Sequence, residues 1–279
     1  MANTDLMRIR SSVLAHDILG TLRQVNSDLA THQLRLGTGS RINRAGDDPA
    51  GLSISTKLRA RYRVWDALYD NVGQARNMLS VAEGALLEMN QILTAMNEKI
   101  VMAATDSLGT DERRAISQQV AELLDEVSDI VEQTEFNGVK LLDETASFTF
   151  QISPEGQLSW STQPFSTSAL ELSHLETFTT DTIITTGNYM TYYDEVNEAI
   201  DQVSGGLTVI GSLLNRLSAK EQVISVASAN TKAAYSRIRD ADMASEQLAL
   251  TKSQVLQQTS LAVLTQANAN PQSVLTLFR

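Results

Sequence analysis

The side chains that could carry chemistry are few and widely separated in this sequence. It contains three histidines, His16, His32 and His174, and no cysteine. No two histidines stand at the spacing of a metal site, and the zinc-protease pattern H-E-x-x-H does not occur. The lack of cysteine excludes thiol catalysis, disulfide bonds and cysteine-ligated metals. These residues therefore predict no catalytic, metal or cofactor site.

The adjacent carboxylates Asp47 and Asp48 are the remaining candidates for acid–base chemistry or for Ca²⁺ binding. Two neighbouring acids without further oxygen donors are a weak calcium pattern. They stand among turn-forming residues, where aspartate commonly accepts backbone N–H groups. The phosphate-binding and hydrolase motifs G-K-[ST], G-x-G-x-x-G and G-x-S-x-G are absent. We therefore interpret this pair as part of a turn and expect the protein not to be an enzyme.

The charge of the chain limits its partners. Its 279 residues have a net charge of −11, which argues against nucleic-acid binding. Residues 1–63 hold ten Lys/Arg and five Asp/Glu, a balance of +5, so the remainder carries −16. No apolar run approaches the roughly 20 residues of a membrane span. The first residues lack the apolar core of a signal peptide, so we expect any secretion to use a route without a cleaved signal.

The elements that would position these residues are mostly long helices. Three glycines, Asp47-Asp48-Pro49 and Gly51 punctuate residues 34–58, and we predict a turn-rich connector at 41–60. An unbroken apolar repeat in steps of three and four then runs from Trp65 to Ala103 and predicts one long helix. Similar repeats over 116–130 and 196–238 predict two more helices, and therefore a bundle.

A different pattern interrupts the helices in the middle of the chain. Apolar residues alternate with polar ones on both sides of Pro154-Glu155-Gly156, which predicts a β-hairpin near 146–162. Residues 161–188 are rich in serine and threonine, and we expect irregular surface structure there. The predicted fold class is mainly α: an elongated helical bundle over 61–239 with coiled-coil-like helices and a small β-hairpin.

Both ends of the chain carry a narrow apolar stripe. The stripe near the N-terminus consists of Ile18, Leu22, Val25 and Leu29, and the stripe near the C-terminus includes Leu248, Val255 and Val263. Such a stripe is typical of a coiled-coil seam and buries little area unless another helix covers it. We therefore predict that these seven residues form one seam, which pairs 1–40 with 240–279 as a terminal-helix domain.

Four blocks of this sequence resemble the bacterial flagellins. They are L-G-T-G-S-R-I-N-R-A-G-D-D-P-A-G at 36–51, A-E-G-A-L at 82–86, Q-T-E-F-N-G-V-K-L-L at 133–142, and a C-terminal block that includes S-R-I-R-D-A-D-M-A at 236–244 and ends in P-Q-S-V-L-T-L-F-R at 271–279. The resemblance spans about 1–145 and 195–279. The variable outer domains of the family would lie between these parts, so the chain resembles a minimal flagellin with inner and outer core domains.

The resemblance implies a structural role in motility. The protein would be exported unfolded by the flagellar type III apparatus and polymerise outside the cell into the hollow helical tube of the flagellar filament. Its terminal helices would line the channel of that tube. Its partners would be other copies of itself, the cap, the hook–filament junction proteins and an export chaperone, with no cofactor. The first block would supply the turn used in filament assembly, consisting of Arg41, Ile42, Asn43, Asp47, Asp48 and Gly51.

One part of the family pattern is degenerate here. In many flagellins an innate immune receptor binds arginines of L-Q-R-[VI]-R-E-L and a glutamate of the following helix, and the aligned positions here are Ala95, Asn97 and Gln119. Since a guanidinium is not replaced by a small or neutral side chain, we expect weak recognition. Two alternatives to the filament subunit remain at this point, a hook–filament junction protein and a surface adhesin or binding module.

Overall fold

A computed structural model describes residues 13–176 and 183–277 of the chain. Its helices are α1 (Val13–Thr38), α2 (Pro49–Ala103), α3 (Thr110–Gln133), α4 (Ser173–Glu176), α5 (Tyr189–Arg239) and α6 (Met243–Leu277). Its strands are β1 (Glu135–Phe136), β2 (Val139–Lys140), β3 (Ser147–Ser153) and β4 (Gly156–Ser161). The predicted mainly α fold with a small β-hairpin is confirmed, and the hairpin is formed by β3 and β4.

The chain divides into two compact units. One unit comprises Met1–Tyr62 and Asn230–Arg279, which we call the terminal unit, and the other is Arg63–Ala229, which we call the core unit. The boundary lies within α2 and α5, whereas the sequence patterns placed it at the turn and near residue 240. Helix α2 also begins at Pro49, so the part of the expected 41–60 connector that follows Asp48 is helical.

The core unit is built around the long apolar stripe of α2. From Leu68 to Ala103 the stripe lies against α3 and α5 in one continuous apolar cluster. Leu79, Leu86 and Leu93 are each 0% exposed. Narrow stripes on single helices would be marginal in water, so the shared burial of the three helices stabilises this unit.

Residues 134–176 add further buried side chains to this apolar cluster. Asn137 and Gly138 both have positive φ (53° and 78°), the two-residue turn that joins β1 to β2. The adjacent hairpin pairs Phe148 with Trp160, whose rings stack with centroids 5.7 Å apart.

The expectation of irregular surface structure after residue 161 is wrong for much of that segment. Phe165, Leu170, Leu172 and Leu175 are all nearly fully buried in the apolar cluster, and α4 lies among them. Phe165 lies over Gly206 of α5, where an added Cβ would come within 2.6 Å of its ring. Residues 177–182 of the segment lie outside the described residues.

Candidate assembly surface

The turn between α1 and α2 is held by its own carboxylates. The backbone N–H groups of Asn43 and Arg44 donate to Asp47 Oδ2 at 2.8 and 2.9 Å. These bonds, the Arg44 bond first, hold the pKa of the Asp47 carboxyl below its usual range. Asp48 Oδ1 accepts the N–H of Gly51 at 2.8 Å, so Asp48 caps α2 and Pro49 is its first residue.

Ile42, Asn43 and Gly51 make further contacts within the turn and with the first turn of α2. Ile42 is 1% exposed, and a Cβ at Gly51 would lie 2.8 Å from Ile42 Cδ1 and 2.3 Å from Asp48 Oδ2. Glycine is therefore the residue that lets Ile42 cover the first turn of α2. Asn43 Nδ2 donates to the carbonyl of Ser40 at 2.7 Å. Of the six predicted turn residues, five therefore lie in the turn between α1 and α2, and Gly51 lies in the first turn of α2.

The two breaks between helices meet in a short antiparallel bridge. Gly39, with φ of 67°, ends α1, and Ser40 pairs with Asp240. The N–H of Arg41 donates to the carbonyl of Arg239 at 2.7 Å, and the N–H of Ala241 donates to that of Gly39 at 2.9 Å. Arg41 Nη2 also donates to the carbonyl of Ile238 at 3.1 Å. The chain therefore leaves α1 and enters α6 through two segments, 39–41 and 239–241, that are hydrogen-bonded to each other, and we call this pair the bridge.

Helices α1 and α6 pair through polar groups as well as apolar ones. His32 Nδ1 lies 2.5 Å from Glu246 Oε2, and Arg35 Nη1 donates to Glu246 Oε1 at 3.2 Å. Farther along, Gln257 Nε2 donates to Asn26 Oδ1 at 2.6 Å, so the helices run antiparallel. Burial alone would raise the pKa of the Glu246 carboxyl, but the His32 hydrogen bond and the Arg35 charge outweigh burial and lower the pKa.

The structure splits the predicted terminal-helix seam. On α1, Val25 is 7% exposed, and Ile18, Leu22 and Leu29 are half-buried. The covered positions of α6 recur in steps of four and three, at Glu246, Leu250, Ser253, Gln257, Ser260, Leu264 and Ala267. The predicted α6 residues are not among them.

The prediction that Leu248, Val255 and Val263 pair with α1 is wrong. They are 72%, 56% and 45% exposed, and Leu256 beside them is 43% exposed. They lie away from the covered positions because α6 carries two heptad rows, and the row against α1 is the more polar one. We call these four residues the outward row of α6. An isolated subunit leaves this row in water, which is unusual for so many apolar side chains on one helix.

The three residues of the degenerate receptor patch differ in their surroundings. Ala95 is half-buried, and Gln119 is exposed on α3. Asn97 Nδ2 donates to Asn197 Oδ1 of α5 at 3.0 Å, so the amide nitrogen of Asn97 is bonded to the neighbouring helix. Family alignment suggested this patch, but only the structure indicates that Asn97 bonds to the neighbouring helix.

Two other kinds of site are a metal-binding group and a membrane-spanning helix, and the described residues contain neither. Within 13–176 and 183–277, no group of three or more His, Cys, Asp or Glu side chains could hold a metal ion. None of the helices in these ranges is long and apolar enough to cross a membrane. The surfaces that stand out are therefore the outward row, the turn and the bridge.

Comparison with known proteins identifies the family. The model of the bacterial flagellin N-terminal helical region matches residues 9–147, and that of the C-terminal helical region matches residues 193–278. The flagellin of Halalkalibacterium halodurans is 37% identical over 88% of this chain and 90% of its own length. The flagellin of Bacillus subtilis is 34% identical over 98% of this chain and all of its own length.

A solved structure shares the fold. The putative flagellar hook-associated protein from Vibrio parahaemolyticus superposes with a TM-score of 0.58 over 70% of this chain and 100% of that one. The identity is 13%, so this likeness concerns the fold alone. The flagellin matches, in contrast, extend over nearly the whole sequence and include the turn, the bridge and α6. The chain belongs to the bacterial flagellin family, and it is a structural protein, a subunit of the flagellar filament.

Proposed function

We propose that this flagellin assembles by burying the outward row of α6 against the terminal helices of neighbouring copies. The single observation behind the proposal is the exposure of four large apolar side chains on a helix whose other face already covers α1. Full burial of a Leu or Val side chain stabilises a contact by about 1.5–3 kcal/mol. A helical polymer of identical subunits supplies such a contact at every step, since heterologous contacts repeat without closing.

The finer assignments rest on the family resemblance. In this proposal 1–40 and 240–279 line the channel of a hollow tube, and 61–239 forms the wall around them. The chain is exported unfolded by the type III apparatus, held beforehand by a chaperone, and added beneath the cap. The hook–filament junction proteins join the filament to the hook. The absence of cysteine suits export of an unfolded chain, because no disulfide could form during transit.

The filament subunit accounts for the chain better than the two alternatives. A hook–filament junction protein shares the terminal pairing, but the flagellin relatives match nearly the full length at 34–37% identity. A surface adhesin would need a binding surface apart from the terminal helices. The β-hairpin would be the place for such a surface, but its residues Ile152, Leu158 and Trp160 belong to the apolar cluster of the core unit.

Seeded polymerisation tests the proposal. We expect the wild-type protein to elongate filament seeds, as seen by negative-stain electron microscopy. The variant with Leu248→Gln, Val255→Gln and Val263→Gln should form no filaments, because each substitution removes apolar area that only a neighbour can cover. Its thermal unfolding should match that of the wild type, since all three side chains are exposed in the subunit.

A control variant changes polar residues of the same helix and leaves its apolar residues in place. Gln254→Ala and Gln258→Ala change exposed polar residues of α6 and should leave elongation unchanged. Elongation of the Gln triple variant at the wild-type rate would contradict the proposed role of the outward row.

We also propose that the flagellin is a weak ligand of the mammalian Toll-like flagellin receptor. Ala95 and Gln119 offer no charge, and Asn97 is bonded to Asn197. Purified monomer should therefore activate a receptor reporter weakly, and Ala95→Arg with Asn97→Arg should raise that activity. Strong activation by the unaltered monomer would refute this proposal.

A further inference from the structure

One face of α3 carries only negative charge. Between Arg114 and Lys140 the sequence contains no lysine, arginine or histidine. Exposed carboxylates stand three or four residues apart there, and such residues share one face of a helix. They are Glu122, Asp125, Glu126, Asp129 and Glu132. Within the described part of the chain none of the five has an ion-pair partner within 4 Å. We call these five residues the acidic face.

The first part of α2 has the opposite character. From Pro49 to Trp65 the helix contains no acidic residue. Lys57, Arg59, Arg61 and Arg63 are exposed, and the described residues provide no ion-pair partner within 4 Å for any of them. Residues four apart share a flank, whereas residues two apart lie about 200° apart around the helix. Lys57 with Arg61 and Arg59 with Arg63 therefore present cations to two opposite sides, and we call the four residues the basic segment.

We infer that the basic segment of one subunit docks on the acidic face of another copy of the same chain. The charges are opposite in sign, since each flank of the basic segment offers two cations and the acidic face offers five carboxylates. The basic segment spans about 9 Å along its helix axis (57–63) and the acidic face about 15 Å (122–132), so the acidic face is long enough to cover the whole segment. Cations on both flanks suit a subunit that has neighbours on two sides. The inference rests on the proposed function, because it requires a polymer of copies.

A second copy explains more than another anionic partner would. A sulfated or phosphorylated polymer would also attract the basic segment, but it would leave the acidic face without counter-charges. Like charges at such spacing destabilise a helix, and a facing row of cations relieves that repulsion. Complementary charges also raise association rates and reject wrong registers more than they add affinity. The charged contact would thus determine the register in which two copies associate. The outward row of α6 would supply most of the binding free energy.

Charge reversal in the full-length chain tests the inference. One variant carries Glu122→Lys, Glu126→Lys and Asp129→Lys, and two others reverse the flanks of the basic segment, Lys57→Glu with Arg61→Glu and Arg59→Glu with Arg63→Glu. The acidic-face variant and at least one flank variant should elongate wild-type seeds about tenfold more slowly at low salt. Circular dichroism and thermal unfolding check that each subunit is folded.

The decisive variant combines the reversed acidic face with the reversed flank that slowed elongation. Its copies regain complementary charges, so they should elongate seeds made of the same variant within about threefold of the wild-type rate. They should elongate wild-type seeds poorly. Raising the salt from about 50 to 500 mM should slow wild-type elongation and speed that of the singly reversed variants, because screening weakens attraction and repulsion alike. Failure of the combined variant to recover would overturn the inference.

A control of equal charge change comes from α5. Asp194→Lys with Glu198→Lys and Asp201→Lys alters three exposed acids outside the acidic face, the same change of charge as in the acidic-face variant, and should elongate at the wild-type rate. Among the described residues none of the three has an ion-pair partner within 4 Å. An equal slowing by this control would mean that net charge alone matters, which overturns the inference. Normal elongation by both flank variants, with lost retention on dextran sulfate, would also overturn it and assign the basic segment to an anionic polymer. No elongation of the wild-type protein would instead overturn the proposed function.

Discussion

The core unit and the terminal unit differ in how their helices are stabilised. In the core unit, apolar side chains of α2, α3, α5 and the segment 134–176 share one cluster. In the described part of the terminal unit, Val25, Ile42 and Ala267 are the apolar residues that are buried, joined by Ser55 and Ser253. Apolar burial is the main favourable term in folding, so we expect the core unit to be the more stable of the two. The described part of the terminal unit holds its geometry with hydrogen bonds and an ion cluster, and it leaves the outward row of α6 exposed.

Hydrogen exchange on dilute subunits should show the largest difference between the units. Amides of α2 from Leu68 to Ala103 should exchange only through global unfolding, because their side chains are buried in the cluster. Amides of α1 and α6 should exchange faster by several orders of magnitude, and their protection should rise in the filament. Equal protection of α1 and α2 in the monomer would break the comparison.

One alanine substitution in each unit should show the same difference between the units as a change in the free energy of unfolding. Leu86→Ala should lower the free energy of unfolding by about 2–5 kcal/mol, since Leu86 is fully buried in a packed cluster. Val25→Ala, at the most buried apolar position of α1, should change the main urea transition by less than about 0.5 kcal/mol. A loss of similar size for both would show that the two units unfold together.

Two adjacent glycines of α5 test the packing of the core unit, because alanine substitutions at them should have opposite effects on stability. Gly206→Ala should destabilise by about 1–3 kcal/mol, because the new Cβ would lie 2.6 Å from Phe165 Cζ and 3.3 Å from Leu86 Cδ1. Gly205→Ala meets nothing within 4 Å and should stabilise by about 0.5–1 kcal/mol. Urea titration of both variants checks the sign, and a destabilising Gly205→Ala would contradict the packing described here.

The ion cluster of the terminal unit should make the pairing of α1 with α6 sensitive to acid. The pKa of the Glu246 carboxyl is lowered in the folded state. The stabilisation that ionised Glu246 gives to α1–α6 pairing is therefore complete above about pH 4.5, and it is lost as the pH falls through the folded pKa. Glu246→Gln should weaken pairing at neutral pH by about 1 kcal/mol and remove that acid dependence. Protection factors of α1 amides at two pH values measure this, with Glu155→Gln in the hairpin turn as the matched control.

The parts of the fold that follow periodic patterns could be predicted from the sequence. The apolar steps from Trp65 to Ala103 and the alternation around Pro154 both correspond to observed elements. The start of α2 was misplaced because Pro49 and Gly51 resemble helix breakers, although Asp before Pro is also a strong start signal. The buried residues 165, 170, 172 and 175 follow no period, so periodicity could not reveal them.

The α6 half of the candidate site shows why apolarity alone misleads in a polymer subunit. The most apolar row, with Leu248 and Val255, is the one left exposed, while Glu246, Ser253 and Gln257 face α1. A signal for the correct face was nevertheless present. His32 and Arg35 stand in and beside the apolar stripe of α1, and two such groups need an acidic partner on the facing helix. Glu246 near the start of α6 is that partner.

The bridge between the two helix breaks also has a consequence for the order of folding. The bond from Arg41 to the carbonyl of Ile238 joins residues 197 positions apart. Closing a flexible loop of that length costs roughly 5 kcal/mol of chain entropy, which a few polar bonds cannot offset. Once α2 and α5 have folded, Tyr62 and Tyr235 stand in edge contact 5.6 Å apart, and the remaining loop is short. We therefore expect the terminal helices to pair with each other only after α2 and α5 have folded.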